Sequence, residues 1–93
     1  MEKRIGFVGI IIENRIDHAE AINQALSEFG KIIVVRTGVP NVRARWSVIT
    51  LVVDATTEEI GALTGRLGMI EGVSVKSALA KSEENSHGLP RCA

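Results

Sequence analysis

Residues 4–12 read Arg4-Ile5-Gly6-Phe7-Val8-Gly9-Ile10-Ile11-Ile12, a short apolar run rich in β-branched side chains that stops at Glu13. Strand alternation puts Ile5, Phe7 and Ile11 on one side and Val8, Ile10 and Ile12 on the other. Both faces are apolar, the pattern of a central strand covered on both sides. The period then changes. Ala19, Ile22, Leu26 and Phe29 recur at helical spacing and predict a helix over 16–29. Asn14 or Asp17 is placed to cap its start, and Gly30 occupies the position of a helix C′ glycine.

Two further strands follow at 31–38 (KIIVVRTG) and 47–54 (SVITLVVD). Between them, Val39-Pro40-Asn41-Val42-Arg43-Ala44-Arg45-Trp46 reads as a long, mobile hairpin connection. Thr56 with Glu59 three residues on is a capping-box signature. It opens a helix over 57–67 with the stripe Ile60, Leu63 and Leu67, closed by Gly68. Residues 72–79 make a weaker fourth strand, Val73 and Val75 inward and Ser74 and Lys76 outward. From Lys81 the chain is polar and aperiodic, which places one folded domain over 1–80 and a disordered tail over 81–93.

The order βαββαβ, with right-handed crossovers in both halves, predicts an α+β ferredoxin-like sandwich: a four-stranded antiparallel sheet with two helices on one face. A monomer of that shape needs a polar open face. Here the first three strands are apolar on both sides, with Ile32/Val34 against Ile33/Val35 and Val48/Val52 against Ile49/Leu51/Val53. A patch of that size marks an interface. Burial by another copy, as a dimer or tetramer, is the expected solution, with Trp46, Val34, Val48 and Val52 in the contact.

Composition narrows the partners. Ninety-three residues make one domain of modest stability. Eleven basic residues balance eleven acidic ones, which gives no support for direct nucleic-acid or membrane binding. Phe7, Phe29 and Trp46 are the only aromatics and Cys92 the only cysteine, so no internal disulfide points to an oxidising compartment. The first apolar run is too short to span a bilayer and lacks the cleavage pattern of a secretion signal. A cytoplasmic protein is expected.

The residues Arg4-Ile5-Gly6-Phe7-Val8-Gly9-Ile10-Ile11-Ile12-Glu13-Asn14-Arg15, Arg36-Thr37-Gly38-Val39-Pro40 and Ser47-Val48-Ile49-Thr50-Leu51-Val52-Val53-Asp54-Ala55 together resemble the family of iron-only hydrogenase system regulators. Ala62-Leu63-Thr64-Gly65-Arg66-Leu67-Gly68-Met69 and Gly72-Val73-Ser74-Val75-Lys76 continue the match, which spans roughly residues 3–80. That family is similar to ACT domains and to the C-terminal domain of the nickel-responsive repressor, which are oligomeric ligand sensors on the same fold. The resemblance implies an ACT-like regulatory module.

In ACT-like domains the turn after the first strand often holds a small effector at a subunit interface, so Glu13, Asn14 and Arg15 become candidate ligand residues. This turn lacks the glycine common there. Its plain alternative is a capped helix start. Arg36 and the Arg43/Arg45 pair offer cations for an anion or an acidic partner helix, or simply a solvated loop. Trp46 suits an interface centre as well as a core. Gly61 and Gly65, four apart on the second helix, each cost up to about 1 kcal/mol of propensity and suggest close backbone approach. Gly6 and Gly9 lie inside a strand and form no dinucleotide fingerprint.

His18, His87 and Cys92 are the only good transition-metal ligands of the soft or imidazole type. The nickel sensor's histidines stand on strands, and this chain has none there, so His18 reads as a surface residue and no metal or cofactor is expected. An RNA-recognition domain needs aromatics on its central strands, and only Phe7 is present. A metal-transfer domain needs cysteines in the first loop. An acylphosphatase-like enzyme is the best catalytic rival through Arg15, but residues 47–54 lack the asparagine that would position water. No histidine accompanies Glu13 or Asp54 for acid–base work. The reading is a non-enzymatic regulatory module that senses a small ligand, with a non-sensing assembly or adaptor protein for a larger partner as the alternative.

Overall fold

The computed structural model describes residues 2–13 and 15–81. The elements are β1 (Arg4–Glu13), α1 (Arg15–Glu28), a single 3₁₀ turn (Gly30–Ile32), β2 (Ile33–Arg43), β3 (Trp46–Ala55), α2 (Thr57–Gly68) and β4 (Val73–Leu79). The strands form one antiparallel sheet in the order β2-β3-β1-β4. This is the expected ferredoxin-like α+β architecture. The β1–β4 ladder is closed at both ends by Glu13 N–H to the Gly72 carbonyl at 2.9 Å and Ala80 N–H to the Ile5 carbonyl at 2.8 Å.

Both helices cover the same side of the sheet. Val8, Ile10 and Ile12 of β1 and Leu51 and Val53 of β3 are buried there against Ile22 and Leu26 of α1 and Ile60, Leu63 and Leu67 of α2. The predicted stripes are therefore the packed ones. Thr56 caps α2 through the reciprocal capping box: Glu59 N–H donates to Thr56 Oγ1 at 3.1 Å and Thr56 N–H to Glu59 Oε1 at 2.9 Å. The N–H donated by Thr56 is the main force holding the Glu59 carboxyl below its ordinary pKa, against some desolvation and aided by the Lys3 charge.

Several sequence expectations are corrected. The 39–46 connection is a two-residue turn, Ala44-Arg45, because β2 runs on to Arg43 and pairs it with Trp46. An irregularity between Val39 and Arg43 absorbs the extra residues, with Asn41 at φ 55°. Gly30 is not a left-handed C′ residue; it opens the 3₁₀ turn, and Gly72 alone among described glycines has positive φ, at 82°. Gly68 is still helical, and Met69 takes the C-cap. Asp17 lies inside α1 and cannot cap it, and the other candidate cap, Asn14, lies outside the described residues.

A Cβ added to Gly61 or Gly65 would meet nothing within 4 Å, so neither glycine admits a close backbone within this chain. His18 is half-buried, not a free surface residue, and its ring abuts Gly72. The expected tail, with His87 and Cys92, lies outside the described residues apart from Lys81. No helix among the described residues is long and apolar enough to cross a membrane.

Candidate functional site

Two features stand out, one on each side of the sheet. The side without helices is apolar. The register Ile11↔Val48, Phe7↔Val52 and Val39↔Val48 sets these side chains in adjacent rows facing away from the helices. Ile5 is 57% exposed, Phe7 56% and Val52 38%. The rows continue to Trp46, which sits opposite Glu13 at the end of β1. Val34, at 60% exposure, falls at the irregularity between Ile33 and Val35 on the outer strand β2. Asp54 opposite Ile5, Glu13 opposite Trp46, Lys76 and Ser74 of β4, Thr37 and Thr50 are polar interruptions.

The helix side holds a pocket of about 150 Å³ between α1 and the β2–β3 hairpin. Its apolar lining includes Ile12, Ile22 and Ile49, together with Pro40. Its polar groups are Arg36, Asn23 and Ser47. Arg36 Nη2 donates to Asn23 Oδ1 at 2.6 Å, which ties β2 to α1. Ser47 is only 2% exposed and is the one buried polar side chain among the described residues. Its Oγ accepts from Asn41 N–H at 3.3 Å, holding the irregular segment of β2 against β3.

The structure separates residues that the sequence had grouped. Arg36 pairs in register with buried Leu51 and so faces the helices, whereas Arg43 pairs with Trp46 at the hairpin end. The three arginines are not one cluster. Glu13 alternates with buried Ile12 and is exposed away from the pocket. Arg15 begins α1, and Asn14 lies outside the described residues. Arg36 is thus the candidate ligand residue that lines a pocket, and Glu13 does not share it. Asn23 and Ser47 were missed because each alone is an ordinary helix or strand residue. Only the fold sets them beside Arg36.

Other features add no chemistry. A shallow crevice between the end of α1 and the start of α2 is lined by Glu28, Lys31, Glu58 and Glu59. Nearby, Arg66 Nε donates to Glu28 Oε1 at 3.2 Å, and both side chains are exposed. Among the described residues no three His, Cys, Asp or Glu side chains come together to hold a metal ion.

Comparison with known proteins bears on the fold and the family. The model of the TM1266-like iron-only hydrogenase system regulators matches residues 4–77. The solved structure of the uncharacterized protein TM1266 from Thermotoga maritima is 36% identical, covers 86% of this chain and 100% of its own, and superposes with a TM-score of 0.80. The ACT domain of the GTP pyrophosphokinase of Chlorobium tepidum is 20% identical over 82% of this chain and 99% of its own, with a TM-score of 0.65. CPII, a nitrogen regulatory PII-like protein from Thiomonas intermedia K12, bound in that structure to ADP, AMP and bicarbonate, is 20% identical. It covers 83% of this chain and 92% of its own, with a TM-score of 0.50. At these identities the last two show a shared fold alone. No curated protein matches the chain.

Proposed function

Because the chain belongs to the TM1266-like family of iron-only hydrogenase system regulators, we propose that it is a non-enzymatic regulatory module that works as a homo-oligomer and senses a small ligand. The observation that carries this reading is the open sheet face. Ile5, Phe7, Ile11 and Val52 stand exposed in neighbouring rows, and each such side chain is worth roughly 1.5–3 kcal/mol on full burial. A stable fold would leave such a surface bare only if something else covers it. A second copy supplies an equally apolar, equally twisted sheet, so face-to-face packing of two sheets is the simplest cover.

Neither of the two sites described has the parts of an enzyme. The pocket holds one cation, one amide and one hydroxyl, with no general base beside them. That supports binding without turnover, in an intracellular setting where a single cysteine needs no oxidant. Glu13 at the end of β1, Asn14, Arg15 at the start of α1 and Arg36 on β2 are the residues through which we read ligand sensing near the subunit contact.

Sedimentation equilibrium on the full chain tests the proposal. A dimer or tetramer at micromolar concentration is expected. A monomer at all concentrations overturns it. An assembly or adaptor role, in which the open face docks a larger protein, predicts a monomer that becomes a heteromer only when that partner is added.

A further inference from the structure

We propose that the pocket between α1 and the β2–β3 hairpin is a binding site, internal to one copy of the chain, for a small aliphatic monocarboxylate. It goes beyond the self-association just argued, and its polar groups Arg36, Asn23 and Ser47 lie on the helix side of the sheet, away from the open face.

The donor set fixes the charge of the ligand. Arg36 gives one N–H to Asn23 Oδ1 and keeps the rest of its five-donor fork, which matches a carboxylate in bidentate fashion. With Oδ1 so engaged, the Asn23 amide nitrogen has donors to give. Ser47 Oγ already accepts from Asn41 N–H, and no acceptor for its own hydrogen is found among the described residues. A hydroxyl that is 2% exposed has strong reason to find one. Two neutral donors and one cation suit a single negative charge.

The walls fix the remainder. Ile12, Ile22 and Ile49 are buried side chains, and with Pro40 they offer hydrocarbon and no counter-charge. Arg36 and Asn23 are exposed, so the charged head stays at the mouth, where a doubly charged phosphate would find only one cation. A short alkyl tail would gain by contact with the walls. The volume of about 150 Å³ suits a small ligand.

Gly38 is part of the same wall. It has no positive φ, and an added Cβ would meet only Ile49 Cγ1 at an ordinary 3.9 Å. Neither backbone nor packing demands glycine at this strand position, where it costs stability. Its missing side chain keeps the pocket open. The flanking residue Val39 pairs with Val48 on the open face, so the strand segments that enclose the ligand also shape the proposed subunit contact.

The test is amide chemical-shift titration of the full-length protein with sodium propionate, propionamide and inorganic phosphate. Propionate is expected to shift the amides of Asn23, Arg36, Gly38 and Ser47 with a saturable curve below about 10 mM. Arg36→Gln should weaken it by about tenfold or more. Gly38→Val fills the pocket without touching any charge, so it should abolish the shifts while the melting temperature holds or rises. Four outcomes overturn the proposal: no saturable shift, undiminished binding to Gly38→Val, propionamide binding as tightly as propionate, or phosphate binding as tightly at the same amides. Repeating the titration on a variant with a charged residue on the open face separates this site from self-association, because an internal pocket binds in a monomer too.

Discussion

The side chain of Leu79 on β4 lies across the bare Cα of Gly6 on β1: a Cβ built on Gly6 would stand 2.5 Å from Leu79 Cδ2 and 2.5 Å from the Ala78 carbonyl oxygen. Leu79 can rotate away, but the backbone carbonyl cannot without loosening the β1–β4 ladder. Gly6→Ala should therefore destabilise by about 2 kcal/mol, the usual cost of overpacking a tight site, as read by urea denaturation. Gly9→Ala, where the nearest atom is the Lys76 carbonyl oxygen at 4.0 Å, should change stability by less than about 0.5 kcal/mol. Equal effects at the two sites would show that β4 does not press on Gly6.

The two glycines of α2 behave in the opposite sense. Gly61 and Gly65 are exposed, and added methyl groups would enter open space. Each Gly→Ala change should raise stability by about 0.5–1 kcal/mol through helix propensity and the reduced entropy of the unfolded chain. Thermal melts check this. A fall in melting temperature would mean that this helix face packs against another molecule.

The capping box of α2 gives a pH dependence with a definite sign. Thr56 N–H holds the Glu59 carboxyl below its ordinary pKa. A carboxylate with a lowered folded-state pKa stabilises the fold above its unfolded pKa, and that contribution is lost as pH falls through the folded value. Melts of the wild type should therefore weaken on acidification below the ordinary glutamate range, and Glu59→Gln should flatten that part of the curve. Thr56→Ala removes the acceptor for Glu59 N–H and should cost about 1 kcal/mol at neutral pH. An unchanged acid limb in Glu59→Gln would show that the box does not couple to folding.

The fold was legible because the signals that carry it are periodic. The alternation in β1, the 3.6-residue stripes of α1 and α2, and the Thr56/Glu59 pair each state their structure locally. The hairpin was not legible. Ala44 at φ 52° makes a two-residue turn without the asparagine or glycine that normally signals one. Pro40 and Asn41 read as loop residues, yet they sit in an irregular part of a paired strand. Arg36 was legible as a ligand candidate, but its neighbours were not. Asn23 and Ser47 are 24 residues apart in the chain, and nothing local marks either. Glu13 is a candidate on the strength of the turn after β1, whereas strand alternation turns it to the side of the sheet opposite Arg36.

That same alternation makes the open face testable by substitution, because its residues carry none of the core. Phe7 and Val52 are opposite each other in the β1–β3 ladder and exposed at 56% and 38%. Replacing both with serine leaves Val8, Leu51 and Val53 in place beneath, so the monomer fold should survive with its circular dichroism unchanged. In a symmetric pair each substitution occurs twice. If each half-exposed side chain has about 1 kcal/mol still to gain by burial, the dissociation constant should rise a hundredfold or more. Sedimentation equilibrium on Phe7→Ser/Val52→Ser reads that shift. Charged substitution, Phe7→Glu, should go further and give a monomer, since an unpaired carboxylate in an apolar contact carries a large desolvation cost. If both variants assemble as the wild type does, the open face is not the contact, and the copies must meet through the free edges of β2 or β4 instead.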